Sequence, residues 1–205
     1  MSLFPIFVKL EKRLVAVVGG GQIAEGKVAA LLNARARIRM IAPSITPQIA
    51  KWVRFRKIDW LPKDFEPTDL DGAFLVVAAT SAPGVNGTVF REAETRGILC
   101  NAVDDVEHCH FYYGAVVQRG DLQIAISTNG KSPSLAQRLR QELENQFGSE
   151  YEAWLEWLGA AREVLRASNP NSESTQTLLQ ELASRRMFER FLAQTKPGSA
   201  KRGVA

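Results

Sequence analysis

The stretch Leu14-Val-Ala-Val-Val-Gly-Gly-Gly-Gln-Ile-Ala-Glu-Gly-Lys-Val-Ala-Ala-Leu-Leu32 constrains this chain more than any other. Leu14 to Val18 is a short apolar run of the kind a buried strand requires. Val28, Leu31 and Leu32 then recur at helical spacing. Three glycines fall at the junction and give the pattern Gly19-x-Gly21-x-x-Ala24. At such a junction the first glycine makes a tight turn and the second lets the backbone approach a pyrophosphate. The third small residue lets helix and strand pack closely, and the unpaired N–H groups of the helix start attract the anion. The stretch therefore predicts a strand, a turn and a helix around a dinucleotide, with Gly19, Gly20, Gly21, Gln22, Ile23 and Ala24 as its cradle.

The rest of the first half repeats the strand and helix alternation. Ala36 to Ala42 alternates polar and apolar and stops at Pro43, Ile45 to Val53 suits a helix, and Phe55 to Leu61 a further short strand. Leu70 to Thr80 reads as a buried strand, Asn86 to Arg96 as a helix closed by Gly97, and Ile98 to Val103 as another strand. Such alternation predicts a parallel, doubly wound sheet, in which ligands sit at the carboxyl ends of the strands. Gly19 to Gly21, Pro43 and Ser44, Thr80, and Asn101 to Asp104 then converge on one rim. The second strand ends without Asp or Glu to hold a ribose hydroxyl, and Ser44 offers one hydrogen bond in its place. No Arg cluster immediately follows, although Arg39 and Lys51 lie near in sequence; the pattern leans towards NAD over NADP.

From Phe111 the pattern changes. Tyr112 to Val117 and Leu122 to Ser127 are two short β-runs, and Thr128-Asn-Gly-Lys-Ser-Pro133 is a polar loop. Ser132 there is a good N-cap, and Pro133 fits the first helical position. Leu135, Leu139, Leu143 and Phe147 mark one helical stripe, while Tyr151, Trp154, Leu155, Leu158, Ala161 and Leu165 mark another, with Trp157 off it. Ala167 to Ser174 reads as a linker before a last helical pair, and the tail from Lys196 as disordered.

With 205 residues, 45% of them hydrophobic, and 23% charged, the chain has the composition of a soluble globular protein. Its net charge of +4 comes from scattered Lys and Arg, which suits an acidic small molecule and gives no reason to invoke nucleic acid. Cys100 and Cys109 form no C-x-x-C and suggest a reducing compartment. The N-terminus has the charges of no signal peptide and no run is long enough to span a membrane, so a cytoplasmic protein is expected. Asp104 and Asp105 end a strand at the binding rim. Such a pair commonly caps a turn, and a carboxylate there can also accept a proton while a nicotinamide accepts a hydride. His108 and His110 face the same way on an extended chain and are weak candidates for half a metal site. The loop at 128 to 132 lacks the first glycine of a nucleotide-triphosphate loop, but as a Lys-bearing loop at a helix start it suits carboxylates.

Taken together, these residues resemble the precorrin-2 dehydrogenase family, whose module also forms the N-terminal part of sirohaem synthases. The resemblance runs through Phe4-Pro-Ile-Phe7, Val17 to Ala24 with Lys27, Ile41-Ala-Pro43, and Leu75 to Thr80 with Asn86. It continues in Cys100-Asn-Ala-Val-Asp104, Phe111, and Ile126 to Pro133 with Ala136, Arg138 and Arg140. It implies NAD-dependent oxidation of precorrin-2, an acidic tetrapyrrole, to sirohydrochlorin. Gly19 to Ala24, Pro43, Ser44 and Thr80 would hold NAD, with Asn101 beside them, and Asp104 falls on the family's proposed general base. Ser127, Thr128, Gly130, Lys131 and Ser132 would line the tetrapyrrole pocket, with Lys131 answering its carboxylates. The implied architecture is α/β: a Rossmann-like doubly wound parallel sheet over 1–111, a β dimerisation segment over 112–147, a small helical domain over 148–195, and a tail over 196–205. Family members are homodimers, and some also insert ferrous iron. A bifunctional dehydrogenase and chelatase, and a non-catalytic NAD-binding redox sensor, are the rival readings. No methyltransferase segment follows, so precorrin-2 is expected from a separate methyltransferase. The sequence departs from the family at Gly26, at Arg35-Ala36, and at Gly114, which stands where the family has proline.

Overall fold

A computed structural model describes residues 3–168 and 172–195. The chain divides into two compact units, one over Leu3–Tyr113 and the other from Gly114 onward.

The first unit is built on five parallel strands in the order β3-β2-β1-β4-β5. The strands are β1 (Leu14–Val18), β2 (Arg37–Ile41), β3 (Asp59–Leu61), β4 (Leu75–Ala78) and β5 (Leu99–Ala102). Val17 on β1 lies opposite Met40 on one side and Val77 on the other. Alternate residues of β1 feed two separate cores, as a sheet covered on both faces requires. Val15 and Val17 pack with Val28 and Leu31 of helix α1 (Gln22–Asn33) and Ile49 of α2 (Pro47–Arg54). Ala16 and Val18 pack with Val89 and Ala93 of α3 (Val85–Thr95). The strand order reverses between β1 and β4, which is where a sheet of this kind opens a crevice at its carboxyl ends.

Two expected strands are shorter than their sequences suggest. Phe55 to Leu61 yields only Asp59–Leu61, because α2 runs to Arg54 and Arg56 turns the chain with φ 55°. Pro67–Leu70 forms a 3₁₀ turn held by reciprocal Glu66 and Asp69 bonds, and Gly72 at φ 75° reverses the chain, so β4 starts only at Leu75.

In the second unit β6 (Ala115–Arg119) and β7 (Leu122–Ile126) form an antiparallel hairpin through Gly120. A side chain at Gly114 would place its Cβ 2.8 Å from the Ile126 carbonyl oxygen, so glycine at this departure from the family pattern admits a close strand approach. Ser132 caps α4 (Pro133–Gln146) by accepting from Leu135 N–H. Helices α5 (Glu150–Ser168), α6 (Glu173–Leu182) and α7 (Arg185–Thr195) follow. The expected linker thus starts later than Ala167, with its middle outside the described residues, as is the tail from Lys196. Trp157 belongs to the packing: its ring stacks on Trp154 at 5.1 Å, and Phe188 and Phe191 of α7 close on Trp154. Among the described residues no helix is long and apolar enough to cross a membrane.

Candidate dinucleotide site

The three glycines have three different jobs. Gly19 leaves β1 with φ 113°, and a Cβ there would sit 2.3 Å from the Ala79 carbonyl oxygen. At Gly20 a Cβ would meet the Ser44 carbonyl oxygen at 2.1 Å. These two positions are closed by backbone from the ends of β4 and β2, so only glycine fits. Gly21 has nothing within 4 Å of its would-be Cβ and faces open space. It precedes α1, and no side chain caps that helix. The first N–H groups of α1 therefore point outward with the positive end of the helix dipole, an arrangement suited to a pyrophosphate.

This turn lines a cleft of about 1220 Å³ along the carboxyl edge of the sheet. Gly19 to Ile23, Pro43, Ser44, Thr80 and Asp104 all line it, so these predicted residues do meet. Ala24 is fully buried beneath the turn, where its small side chain permits close helix packing. Thr80 is held from both sides by Asn86, whose Oδ1 accepts from Thr80 N–H and whose amide donates to Thr80 C=O, each at 3.2 Å. The loop after β2 is tied to the glycine turn by Thr46. Its N–H donates to Gly20 C=O at 3.1 Å, and its hydroxyl donates to Glu25 at 2.5 Å. The residues present thus fit a nicotinamide dinucleotide: an uncapped helix start, a bare Gly21 and a long cleft across the switch point.

Asp104 follows β5 on the cleft wall with φ 60°, a left-handed conformation that Asp tolerates better than most residues. Behind it the Lys27 ammonium lies 3.8 Å from the centroid of the Tyr113 ring. Burial pushes the Lys27 pKa down, and the charges of Asp104 and Cys109 oppose that push. The family resemblance includes Lys27 without a role; it rises from the second turn of α1 on the face that meets Tyr113 and Asp104.

Other predicted residues lie elsewhere. Asn101 is buried, and its amide donates to the Phe111 carbonyl at 2.8 Å, which fastens the chain leaving β5. It is not a lining residue of the cleft. His108 Nδ1 bonds Asp105 at 2.6 Å, and His110 Nδ1 accepts from Cys100 N–H at 3.1 Å. Both rings contact Phe90, His108 edge-on and His110 stacked. Among the described residues no group of three or more His, Cys, Asp and Glu stands ready to hold a metal ion.

The residues expected to meet a tetrapyrrole belong to the second unit. There the Thr128 hydroxyl accepts from Ser132 N–H and donates to Ser132 C=O, and Ser127 Oγ accepts from Asn129 N–H. Asn129 and Gly130 turn with φ 53° and 74°, and Lys131 is exposed at the tip. The loop is thus a small self-bonded turn that presents a cation beside a capped helix start.

Comparison with known proteins agrees with this geometry. A family described as putative NAD(P)-binding matches residues 6–115, and one described as sirohaem biosynthesis protein central matches 119–146. Siroheme synthase 1 of Aeromonas salmonicida is 36% identical over 201 residues, covering 98% of this chain and 41% of that protein. The siroheme synthase of Photorhabdus laumondii is 42% identical over 144 residues, covering 70% of this chain and 31% of its own length. The chain thus spans less than half the length of these curated relatives. Among solved structures, the precorrin-2 dehydrogenase SirC superposes with a TM-score of 0.77 at 27% identity, over 94% of this chain and 98% of that one.

Proposed function

The chain belongs to the family described as putative NAD(P)-binding, and from its likeness to siroheme synthases and to SirC we propose that it oxidises precorrin-2 to sirohydrochlorin with NAD as acceptor. The observation that carries this reading is the shared cleft: the helix start suited to a pyrophosphate and Asp104 both line it. The α1 N–H groups and Gly21 hold the pyrophosphate. Pro43 and Ser44 border the adenosine ribose, where no acidic residue ends β2. Thr80, fixed by Asn86, borders the nicotinamide end.

The bound nicotinamide supplies a hydride acceptor. The reduced macrocycle gives up one hydride and one proton, and Asp104 takes the proton and passes it to water. The Ser127 to Ser132 loop, with Lys131, binds carboxylates of the substrate. Val116 and Leu135, apolar and exposed on the second unit, suit a homodimer interface.

The test is to mix the protein with precorrin-2 and NAD without metal and follow sirohydrochlorin and NADH by absorbance. Equal, protein-dependent formation of both is expected. Binding of NAD with no oxidation of intact precorrin-2 would replace this reading with that of a redox sensor.

A further inference from the structure

Two cationic side chains line the dinucleotide cleft, Lys63 and Arg91. Lys63 is spoken for: its ammonium lies 2.7 Å from Glu66 and 3.0 Å from Asp69. Arg91 makes no carboxylate pair among the described residues. It rises from the second turn of α3, the helix that starts just after the Thr80 to Gly84 loop. Its guanidinium is steadied at one nitrogen, where Nη2 donates to Thr88 Oγ1 at 3.0 Å. Thr88 also lines the cleft, so the pair forms a short polar shelf on the β4 and β5 side, the side of Asp104. This is the half of a doubly wound crevice away from β2, where the adenosine end of a dinucleotide belongs. The remaining guanidinium donors have the planar fork that matches a carboxylate with two parallel bonds, a fit that a lysine at this point would lack.

We propose that Arg91, held by Thr88, is a substrate-binding residue that anchors a carboxylate of the macrocycle beside Asp104. The inference rests on the proposed reaction, because that reaction brings a polycarboxylate to this wall. A neutral substrate would gain nothing from an unpaired arginine there. Arg91 binds and orients; it moves no proton.

The experiment compares wild type with Arg91→Gln, Arg91→Lys and Thr88→Val. Three readouts are taken: kcat and KM for precorrin-2, Kd for NAD alone, and the melting temperature. Arg91→Gln is expected to raise KM about tenfold, with kcat and NAD affinity within twofold of wild type. Arg91→Lys keeps the charge and loses the fork, so its KM falls between the two, and Thr88→Val gives the smallest rise. KM of the wild type should climb with salt more steeply than that of Arg91→Gln. An unchanged KM in Arg91→Gln overturns the proposal. So does a matching loss of NAD affinity, which assigns Arg91 to the dinucleotide phosphates. Absence of precorrin-2 oxidation in the wild type is a separate outcome and strikes the proposed reaction itself, along with the inference that rests on it.

Discussion

In the Leu3–Tyr113 unit, Val15, Val17, Val76 and Val77 are fully buried between layers of helix, whereas from Gly114 onward the only buried described apolar residues are Val117, Ala136, Trp154 and Phe188. The first unit closes its core with β-branched strand residues, each side chain opposite a parallel neighbour. The second closes with large rings stacked across helices, and leaves Val116, Leu135, Val164 and Leu178 in solvent. A sheet covered on both faces is complete within one chain. A hairpin with a few helices buries less. The contrast lies in how each core is closed and not in what is left outside, since Phe4, Phe7, Phe55 and Val106 of the first unit also stand in solvent.

The strongest way to break that contrast is to strike each core in turn. Gly19→Val forces a side chain at φ 113° into the Ala79 carbonyl, and a loss of more than about 4 kcal/mol is expected, read as loss of cooperative melting together with NAD binding. Trp154→Ala should cost about 3 kcal/mol, yet leave NAD affinity within twofold, since its ring partners lie on α5 and α7. If NAD affinity falls in step with stability, the two units are not independent. A finer cut uses the neighbouring glycines. Gly21→Ala adds a methyl where nothing lies within 4 Å, so the melting temperature should hold while NAD affinity drops about tenfold.

The smallest effect concerns pH. Burial pushes the Cys100 thiol up from 9.0 to about 12. The folded state thus keeps a proton that the unfolded chain loses. Its stabilising contribution is whole below pH 9 and declines as pH rises through the interval to about 12. The slope from this one group is at most about 1.4 kcal/mol per pH unit. Cys100→Ala should flatten the alkaline loss measured by denaturant titration at pH 8 to 11, whereas an unchanged slope would place it on other groups.

Much of the first unit was legible because its signals are local. Glycines at a strand end, apolar runs, and Gly97 after a helix each act within a few residues, and the structure has β1, α1, β2 and α3 where those signals put them. Boundaries failed where a turn lay inside an apolar run, as at Gly72, since composition does not show where backbone reverses. The roles of long-range partners were not legible. Asn101 lies near the rim end of β5, which made it a cofactor candidate, yet its amide is spent on Phe111 ten residues on. His108 and His110 were read on an extended chain, but Val106–His108 is a 3₁₀ turn, and Asp105 and the Cys100 amide take one nitrogen of each. Trp157 looked off the helical stripe because a one-helix pattern cannot see Phe191 arriving from α7. Arg91 carried no motif and Lys27 only a place in the family resemblance with no role, and only the meeting of α1, α3 and the chain after β5 gives them neighbours.

The most direct measurement is a single turnover with Asp104→Asn, anaerobic, with excess protein over precorrin-2 and saturating NAD, beside a titration of NAD alone. NAD is expected to bind within twofold of wild type, while sirohydrochlorin and NADH form at least about a hundredfold more slowly, the usual worth of a positioned proton acceptor. Turnover at the wild-type rate with NAD bound would remove Asp104 from the chemistry and contradict the account of this cleft as a site where hydride and proton leave together.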